Sequence, residues 1–200
     1  ALAFASALAS TIGYAVAVRQ PESNWMRLGR WGFRLHAASI FATVALLYLL
    51  IFCHRYEFQY IWKHLNDAMP FGFMLSSFWG GQEGGFLIWM SWMLVLALLF
   101  LRRNPGPLEA PVMAVHGGIF TGLSSMLLGL YFGDFQFGLD PFLLLREAPQ
   151  NLGLPWTFNP DYLALIPQFA DGQGLNPLLQ NYWMVIHPPT LFLGFASTLM

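Results

Sequence analysis

Five long apolar runs constrain what this chain can fold into more than any other feature of its sequence. They cover residues 1–18, 35–53, 86–101, 111–132 and 188–200 of 200 residues. About 20 apolar residues in a helix cross the hydrocarbon core of a bilayer. Only 10% of the residues are charged, against about 25% in soluble domains. We predict an all-α polytopic integral membrane protein with about five transmembrane helices, the last of them truncated, forming the N-terminal part of a single membrane domain.

The charged residues indicate which connectors lie on the same side of the membrane. The connectors after the first and third runs hold six of the nine Lys and Arg residues, whereas most of the acids lie in residues 54–85 and 133–187. Because basic residues favour the cytoplasmic side, we expect segments 54–85 and 133–187 to be outer loops. The second is a long loop between helices 4 and 5, and its apolar pieces at residues 141–145 and 162–167 predict packed structure.

Residues 176–195 place His187 directly before two prolines, at the start of the last apolar run. A residue before proline is disfavoured in the α region, and proline suits the first helical turn. We therefore expect His187 at or just outside a helix N-terminus, where the helix dipole favours the neutral imidazole that binds metal. The pattern suits an axial metal ligand, and it equally suits a helix-start residue that bonds to nearby backbone.

A second constellation, WGGQEGGFLIWMSW, runs from Trp79 to Trp92. Its four glycines let the backbone turn tightly and approach a flat object closely. Phe86, Trp89 and Trp92 recur at a spacing that places them on one helix face. Such a surface would suit a tetrapyrrole ring, and it is also typical of an interfacial aromatic belt. Glu83 either stabilises a helix N-terminus through the dipole or orients a ligand.

The remaining chemistry-bearing residues narrow the function classes. The single cysteine, Cys53, excludes an internal disulfide in this chain. Neither a nucleotide-binding glycine motif nor a basic run occurs, so no nucleic acid or nucleotide partner is indicated. His36 and His116 suit either hydrogen-bonded helix-end residues or cofactor ligands. A haem-free transporter or redox-linked channel subunit remains an alternative, as does a membrane scaffold, although no charged residue lies inside a predicted span.

Two segments, WGGQEGGFLIW and GLNPLLQNYWMVIHPPTLFLGF, resemble the N-terminal portion of the cytochrome c biogenesis haem-handling proteins of the CcmF/CcsA type. The resemblance implies that His187 supplies one axial ligand to the iron of a b-type haem in transit. It also implies that the second histidine and a tryptophan-rich motif lie outside these residues. Gln82 and Gly85 depart from the family, which often has histidine and serine there.

The resemblance further implies what the whole protein does. It would hold haem at the outer, periplasmic face of the bacterial inner membrane and present it to the CxxCH segment of apocytochrome c, whose thiols add to the haem vinyl groups. Trp79, Trp89, Trp92 and Glu83 are the expected haem contacts beside His187. Other cytochrome c maturation membrane proteins are the expected partners. Whether such a haem lyase component counts as an enzyme is a matter of degree, since the haem carries the organic chemistry.

Overall fold

The computed structural model describes residues 1–20, 24–103, 105–132 and 135–199. Within these ranges the chain forms α-helices and one antiparallel hairpin. The helices are α1 (Leu2–Arg19), α2 (Trp25–Phe52), α3 (Gln59–His64), α4 (Phe71–Ser77), α5 (Gln82–Arg102), α6 (Glu109–Ser125), α7 (Tyr162–Leu165) and α8 (Tyr182–Ser197). The strands are β1 (Leu130–Phe132) and β2 (Phe135–Phe137). Single 3₁₀ turns occupy Gly106–Leu108, Leu145–Glu147, Pro149–Asn151, Pro155–Phe158, Pro167–Phe169 and Pro177–Leu179.

Three helices of the described residues, α1, α2 and α5, are long and apolar enough to cross a membrane. The helices α6 and α8 contain 17 and 16 residues, which is short for the roughly 20 residues that a span needs. The chain thus has the helices of a membrane protein. The count of five spans stays a prediction.

Two helix boundaries differ from the ends of the predicted spans. Helix α2 begins at Trp25 rather than Leu35, because the arginines that interrupt the apolar run are good helix formers and do not stop the helix. Helix α6 ends at Ser125, so residues 126–132 of the fourth predicted span turn at Gly129, whose φ is +57°, into β1. An apolar run alone does not separate a helix from a strand. The hairpin and an isolated antiparallel bridge between Phe58 and Leu144 are the departures from an all-α fold in the described chain.

The two predicted outer loops contain regular structure. Residues 54–85 include α3, α4 and the start of α5, and the second segment includes 3₁₀ turns, α7 and the start of α8. Gly133, where the second loop is predicted to begin, and Met200, where the last span is cut, lie outside the described residues.

Two compact units make up the chain. The first, which we call the helical unit, comprises Ala1–Val44, Phe86–Leu139 and Pro189–Met200; the second, the motif unit, comprises Ala45–Gly85 and Asp140–Pro188. In the helical unit, small residues let helices meet at their backbones. A Cβ at Gly13 of α1 would overlap the backbone of Gly29, and one at Gly32 would lie 2.7 Å from the nitrogen of Ser10. Close approach of this kind favours helix association in a membrane, where apolar burial drives it little.

The core of the motif unit is aromatic. Leu145, Tyr162 and Phe169 are almost fully buried, and Trp62 and Trp156 pack against them. Leu145 and Tyr162 come from the two apolar pieces of the long outer segment. That segment therefore packs on α3, which carries Trp62, and is not a free loop.

Candidate functional site

The glycine-rich turn between α4 and α5 is built without room for side chains. A Cβ at Gly84 would overlap the carbonyl oxygen of Phe78, and one at Gly81 would lie 2.9 Å from carbon atoms of both Tyr60 and His64. Glycine is therefore required here for space, and all these residues lie in the motif unit. The flat groups that the glycines approach are two rings of the same chain.

Tyr60 and His64 of α3 form the frame on which this turn rests. The Tyr60 hydroxyl donates to the carbonyl of Phe78 at 2.7 Å and accepts the Gly81 N–H at 3.2 Å. His64 places Nδ1 2.8 Å from the carbonyl of Tyr60, and the two rings lie 4.5 Å apart. Burial raises the pKa of Tyr60 and lowers the pKa of His64, so both are held neutral at neutral pH.

The sequence motifs do not indicate this frame, because His64 lies outside both of them, in the predicted outer loop of residues 54–85. The available signal is the pair of aromatic groups four residues apart in QYIWKH, which places both rings on one helix face. Nothing local in that spacing indicates which segment the rings will contact. Only the fold brings the glycine turn onto them.

His187 lies inside a helix, contrary to the prediction that it sits at or outside an N-terminus. Helix α8 begins at Tyr182 and continues through Pro188 and Pro189. The α conformation before proline is disfavoured but not forbidden, and the packed chain holds it here. His187 is the sixth residue of α8, beyond the first turn where the helix dipole acts most strongly. The imidazole is exposed.

The prolines leave helix carbonyls without their usual donors, and Trp79 replaces one of them. Pro188 has no N–H for the carbonyl of Met184, four residues earlier. The indole N–H of Trp79 donates to that carbonyl at 2.8 Å. This bond joins the glycine-rich motif to the helix that carries His187, within the motif unit. Two motifs about 100 residues apart in sequence thus meet at one backbone oxygen.

Trp89 and Trp92 lie on the part of α5 that belongs to the helical unit. The Trp89 ring stacks on Phe192 with a centroid distance of 6.2 Å and also contacts Phe195. Both indole N–H groups are buried and have no acceptor among the described residues. Buried polar groups normally have a partner, so these two donors are available to a bound molecule or another segment.

Glu83 is the second residue of α5 and lies in its first turn. An acid in this position stabilises the helix through its dipole, which is the first of the two roles that the sequence suggests. Its side chain is partly exposed, so the second role, contact with a ligand, stays a prediction.

His36 and His116 are buried in the helical unit, on α2 and α6. Nδ1 of His36 lies 2.9 Å from the carbonyl of Ala3, and Nδ1 of His116 lies 3.0 Å from that of Val112. Both rings contact Phe120. The two Nε2 atoms have no partner among the described residues. No group of three or more His, Cys, Asp or Glu side chains that could hold a metal occurs in the described chain.

No protein-family model matches the chain. No solved structure matches it significantly either.

Curated proteins do match over most of its length. Cytochrome c-type biogenesis protein CcmF of Pseudomonas fluorescens is 31% identical over 181 residues, which are 86% of this chain and 23% of that protein. CycK of Rhizobium meliloti is 26% identical over 98% of this chain and 25% of its own length. CcmF of Escherichia coli is 26% identical over 82% of this chain and 22% of its own length. The chain thus spans about a quarter of the relatives it matches, and the resemblance seen in its motifs is confirmed.

Proposed function

From its similarity to part of the cytochrome c-type biogenesis proteins, we propose that this chain helps to hold haem at the outer face of the membrane for attachment to apocytochrome c. His187 supplies one axial ligand to the haem iron. The protein acts in the inner membrane with its haem-binding side in the periplasm, together with other membrane proteins of cytochrome c maturation.

The observation that carries the proposal is the hydrogen bond from Trp79 to the carbonyl of Met184. It attaches the helix of His187 to the glycine-rich turn, which itself rests on Tyr60 and His64. A ligand must be held in a defined orientation to bind a metal strongly. The bond from Trp79 supports the first turns of α8 at Met184, three residues before His187.

The donor set fits haem iron. Imidazole is a common axial ligand of haem, and His187 is an exposed residue of α8. The resemblance to the family implies that the second histidine lies outside these 200 residues. We infer that the second axial ligand comes from another segment or another protein.

Trp89, Trp92 and Glu83 are proposed as supporting contacts. The two buried indole N–H groups lack acceptors among the described residues, and polar atoms of a bound molecule would satisfy them. Trp79 acts differently, because its N–H is already used by Met184. We propose that Trp79 positions the His187 helix and contacts haem only through its ring.

The chain's own residues contribute ligation, orientation and exclusion of water. Bound haem supplies vinyl groups, to which the two thiols of a CxxCH segment add. Correct placement of two reactants is itself a large rate effect, worth up to about 7–11 kcal/mol of a barrier.

The visible absorption spectrum of the purified full-length protein tests the axial-ligand role. His187→Gly is compared with His54→Gly, a matched change at another histidine predicted on the outer face. Removal of a group that only orients a metal ligand costs about 10- to 100-fold in metal affinity. Removal of the ligand itself should lower the affinity for haem at least as much, and the haem content of the purified protein should fall with it. Added imidazole should restore part of the haem signal in His187→Gly.

His54→Gly should keep the wild-type spectrum, because His54 already has a positive φ of 49° that glycine adopts readily. If His187→Gly keeps both the wild-type haem content and the wild-type spectrum, His187 is not a ligand. If both variants lose haem equally, the effect is general and the assignment also fails.

A further inference from the structure

A cleft opens in the helical unit, and none of the proposed haem-contact residues lines it. It has a volume of about 340 Å³ and lies among α1, α2, α5 and the start of α6. Its polar lining consists of Tyr14, Arg30, Arg34, Arg102 and Glu109, and its remaining lining residues are apolar. Three guanidinium groups and one carboxylate therefore surround a single opening.

The carboxylate of Glu109 is neutralised inside the cleft. Arg30 binds it with two bonds, Nε to Oε1 and Nη2 to Oε2, each 2.6 Å long. Tyr14 donates to Oε1 at 3.3 Å. The Glu109 side chain is only 9% exposed, so this paired arrangement is needed to bury its charge. The pair closes one wall of the cleft and leaves no excess negative charge there.

Arg34 and Arg102 leave the cleft with two positive charges in excess. Both side chains are exposed at its mouth, and neither has a carboxylate partner in the part of the chain that the structure describes. Arg34 lies 5.2 Å above the ring of Trp31, a cation–π contact that restrains its guanidinium. Two positioned guanidinium groups favour a phosphate, whose oxygens match their planar donor geometry.

An apolar groove continues from the same arginine. It has a volume of about 470 Å³, and Arg34 lines both openings. Its other walls include Leu28, Trp31, Leu35 and Ala38 of α2. A positively charged mouth beside an apolar groove matches a molecule with an anionic head and a hydrocarbon tail. Inorganic phosphate would use only the first of these features.

We propose that this cleft binds an anionic phospholipid, with Arg34 and Arg102 contacting the phosphate and the groove of α2 holding part of an acyl chain. Basic pockets between membrane helices on the cytoplasmic side bind lipid head groups in this way. The arginines come from the two connectors that the charge pattern predicts to be cytoplasmic. The bound lipid holds α2 and α5 together at this end of the helical unit.

Native mass spectrometry of the delipidated full-length protein in detergent tests the proposal. Phosphatidylglycerol is titrated in, with phosphatidylcholine as the lipid of no net charge and inorganic phosphate as the tail-free competitor. The double variant Arg34→Gln/Arg102→Gln is compared with Arg27→Gln/Arg103→Gln. The control removes the same charge from the same two helix regions, but neither of its arginines lines the cleft or the groove.

Wild type and the control should bind phosphatidylglycerol more tightly than phosphatidylcholine. The cleft variant should lose about fivefold in affinity for each arginine removed, the worth of one basic residue near an anionic lipid. Equal losses in both double variants would show a general charge effect and overturn the proposal. Equal affinity for phosphatidylglycerol and phosphatidylcholine would overturn the proposal as well. So would displacement of bound phosphatidylglycerol by inorganic phosphate at an equal concentration.

The single variant Arg102→Gln gives the same comparison against Arg103→Gln if the double variant does not fold. Haem content measured on the same samples should be unchanged in every variant. Failure of the lipid proposal and failure of the haem proposal are thereby separated.

Discussion

The indole of Trp79 replaces a backbone hydrogen bond that Pro188 removes from α8. Its N–H lies 2.8 Å from the carbonyl of Met184, a residue that is only 9% exposed. A buried carbonyl without a donor is costly, so the histidine-proline motif depends on this side chain to remain helical. A tryptophan in a glycine-rich turn and a proline in a distant helix therefore act as one structural unit.

Trp79→Phe should lower the free energy of unfolding by about 1–3 kcal/mol, because it leaves the Met184 carbonyl unpaired while keeping an aromatic ring. Thermal and urea unfolding of the full-length protein in detergent, followed by far-UV circular dichroism, measures this. Trp183→Phe is the control, since Trp183 lies in α8 next to Met184 but is 68% exposed. Equal stability of the two variants would contradict the role of the bond.

The lowered pKa of His64 makes the stability of the protein depend on pH. Burial lowers this pKa below its usual 6.5, the nearby charge of Lys63 lowers it further, and the bond to Tyr60 opposes both. The unfolded chain therefore binds a proton at a higher pH than the folded chain does. Stability contributed by neutral His64 is present above about pH 6.5 and is lost as the pH falls below that value.

Unfolding free energies of wild type and His64→Phe, measured between pH 7.5 and pH 5, test this dependence. The phenylalanine keeps a ring against Tyr60 and the glycines but takes up no proton. We expect wild type to lose more stability than the variant as the pH falls. Parallel curves would mean that His64 does not titrate on unfolding.

Among the helices, the turn from α4 to α5 requires glycine because it has no room for a side chain. The backbone of Gly84 in the first turn of α5 touches the carbonyl of Phe78 at the end of α4. The two helices can follow each other this closely only because the residue has no Cβ. The glycines recognised in the sequence as a tight turn are thus required by the chain's own packing, whatever else the turn binds.

Gly84→Ala should destabilise the protein by about 3 kcal/mol, the upper end of the range for inserting a methyl group into a packed site. Gly118→Ala is the matched control in α6, where a Cβ would meet nothing within 4 Å. There alanine should stabilise the helix by up to about 1 kcal/mol. Both values come from unfolding of the full-length protein, and a well-tolerated Gly84→Ala would mean that the turn relaxes.

Across the whole chain, exposed apolar side chains and clustered basic residues are typical of a protein that lies in a bilayer. The three spanning candidates keep only a third of their most apolar windows buried. Helix α1, for example, exposes Leu8 and Ile12. Such surfaces are unfavourable in water and favourable against lipid. The basic connectors then predict which end faces the cytoplasm.

Cysteine labelling tests this orientation in a Cys53→Ser background. In intact spheroplasts a membrane-impermeant maleimide should label Leu178→Cys, which is 85% exposed and lies in the predicted outer segment. It should label Arg103→Cys, in a predicted cytoplasmic connector, only after the membrane is permeabilised. The reverse pattern would put His187 on the cytoplasmic side and contradict its role in periplasmic haem presentation.

Much of this fold follows from local sequence, and its departures have different causes. The lengths of the apolar runs predict helices α1 and α5. The early start of α2 is also local, because arginines are good helix formers, and the end of α6 is followed by the turn at Gly129. The helical conformation of His187 contradicts the prediction and has support from a distant segment, since the indole N–H of Trp79 replaces the donor that Pro188 removes.

Local sequence suffices to show that this chain is mainly helical, has the helices of a membrane protein and carries two motifs that resemble those of the cytochrome c biogenesis proteins. Apolar length and backbone hydrogen bonding within a helix are local quantities, so they can be read along the chain. The three-dimensional fold is needed to see that Trp79 donates to the carbonyl of Met184, 105 residues away, and that Arg30 neutralises Glu109, 79 residues away. Contacts between distant segments depend on how helices pack, and no local preference in the sequence specifies the partner.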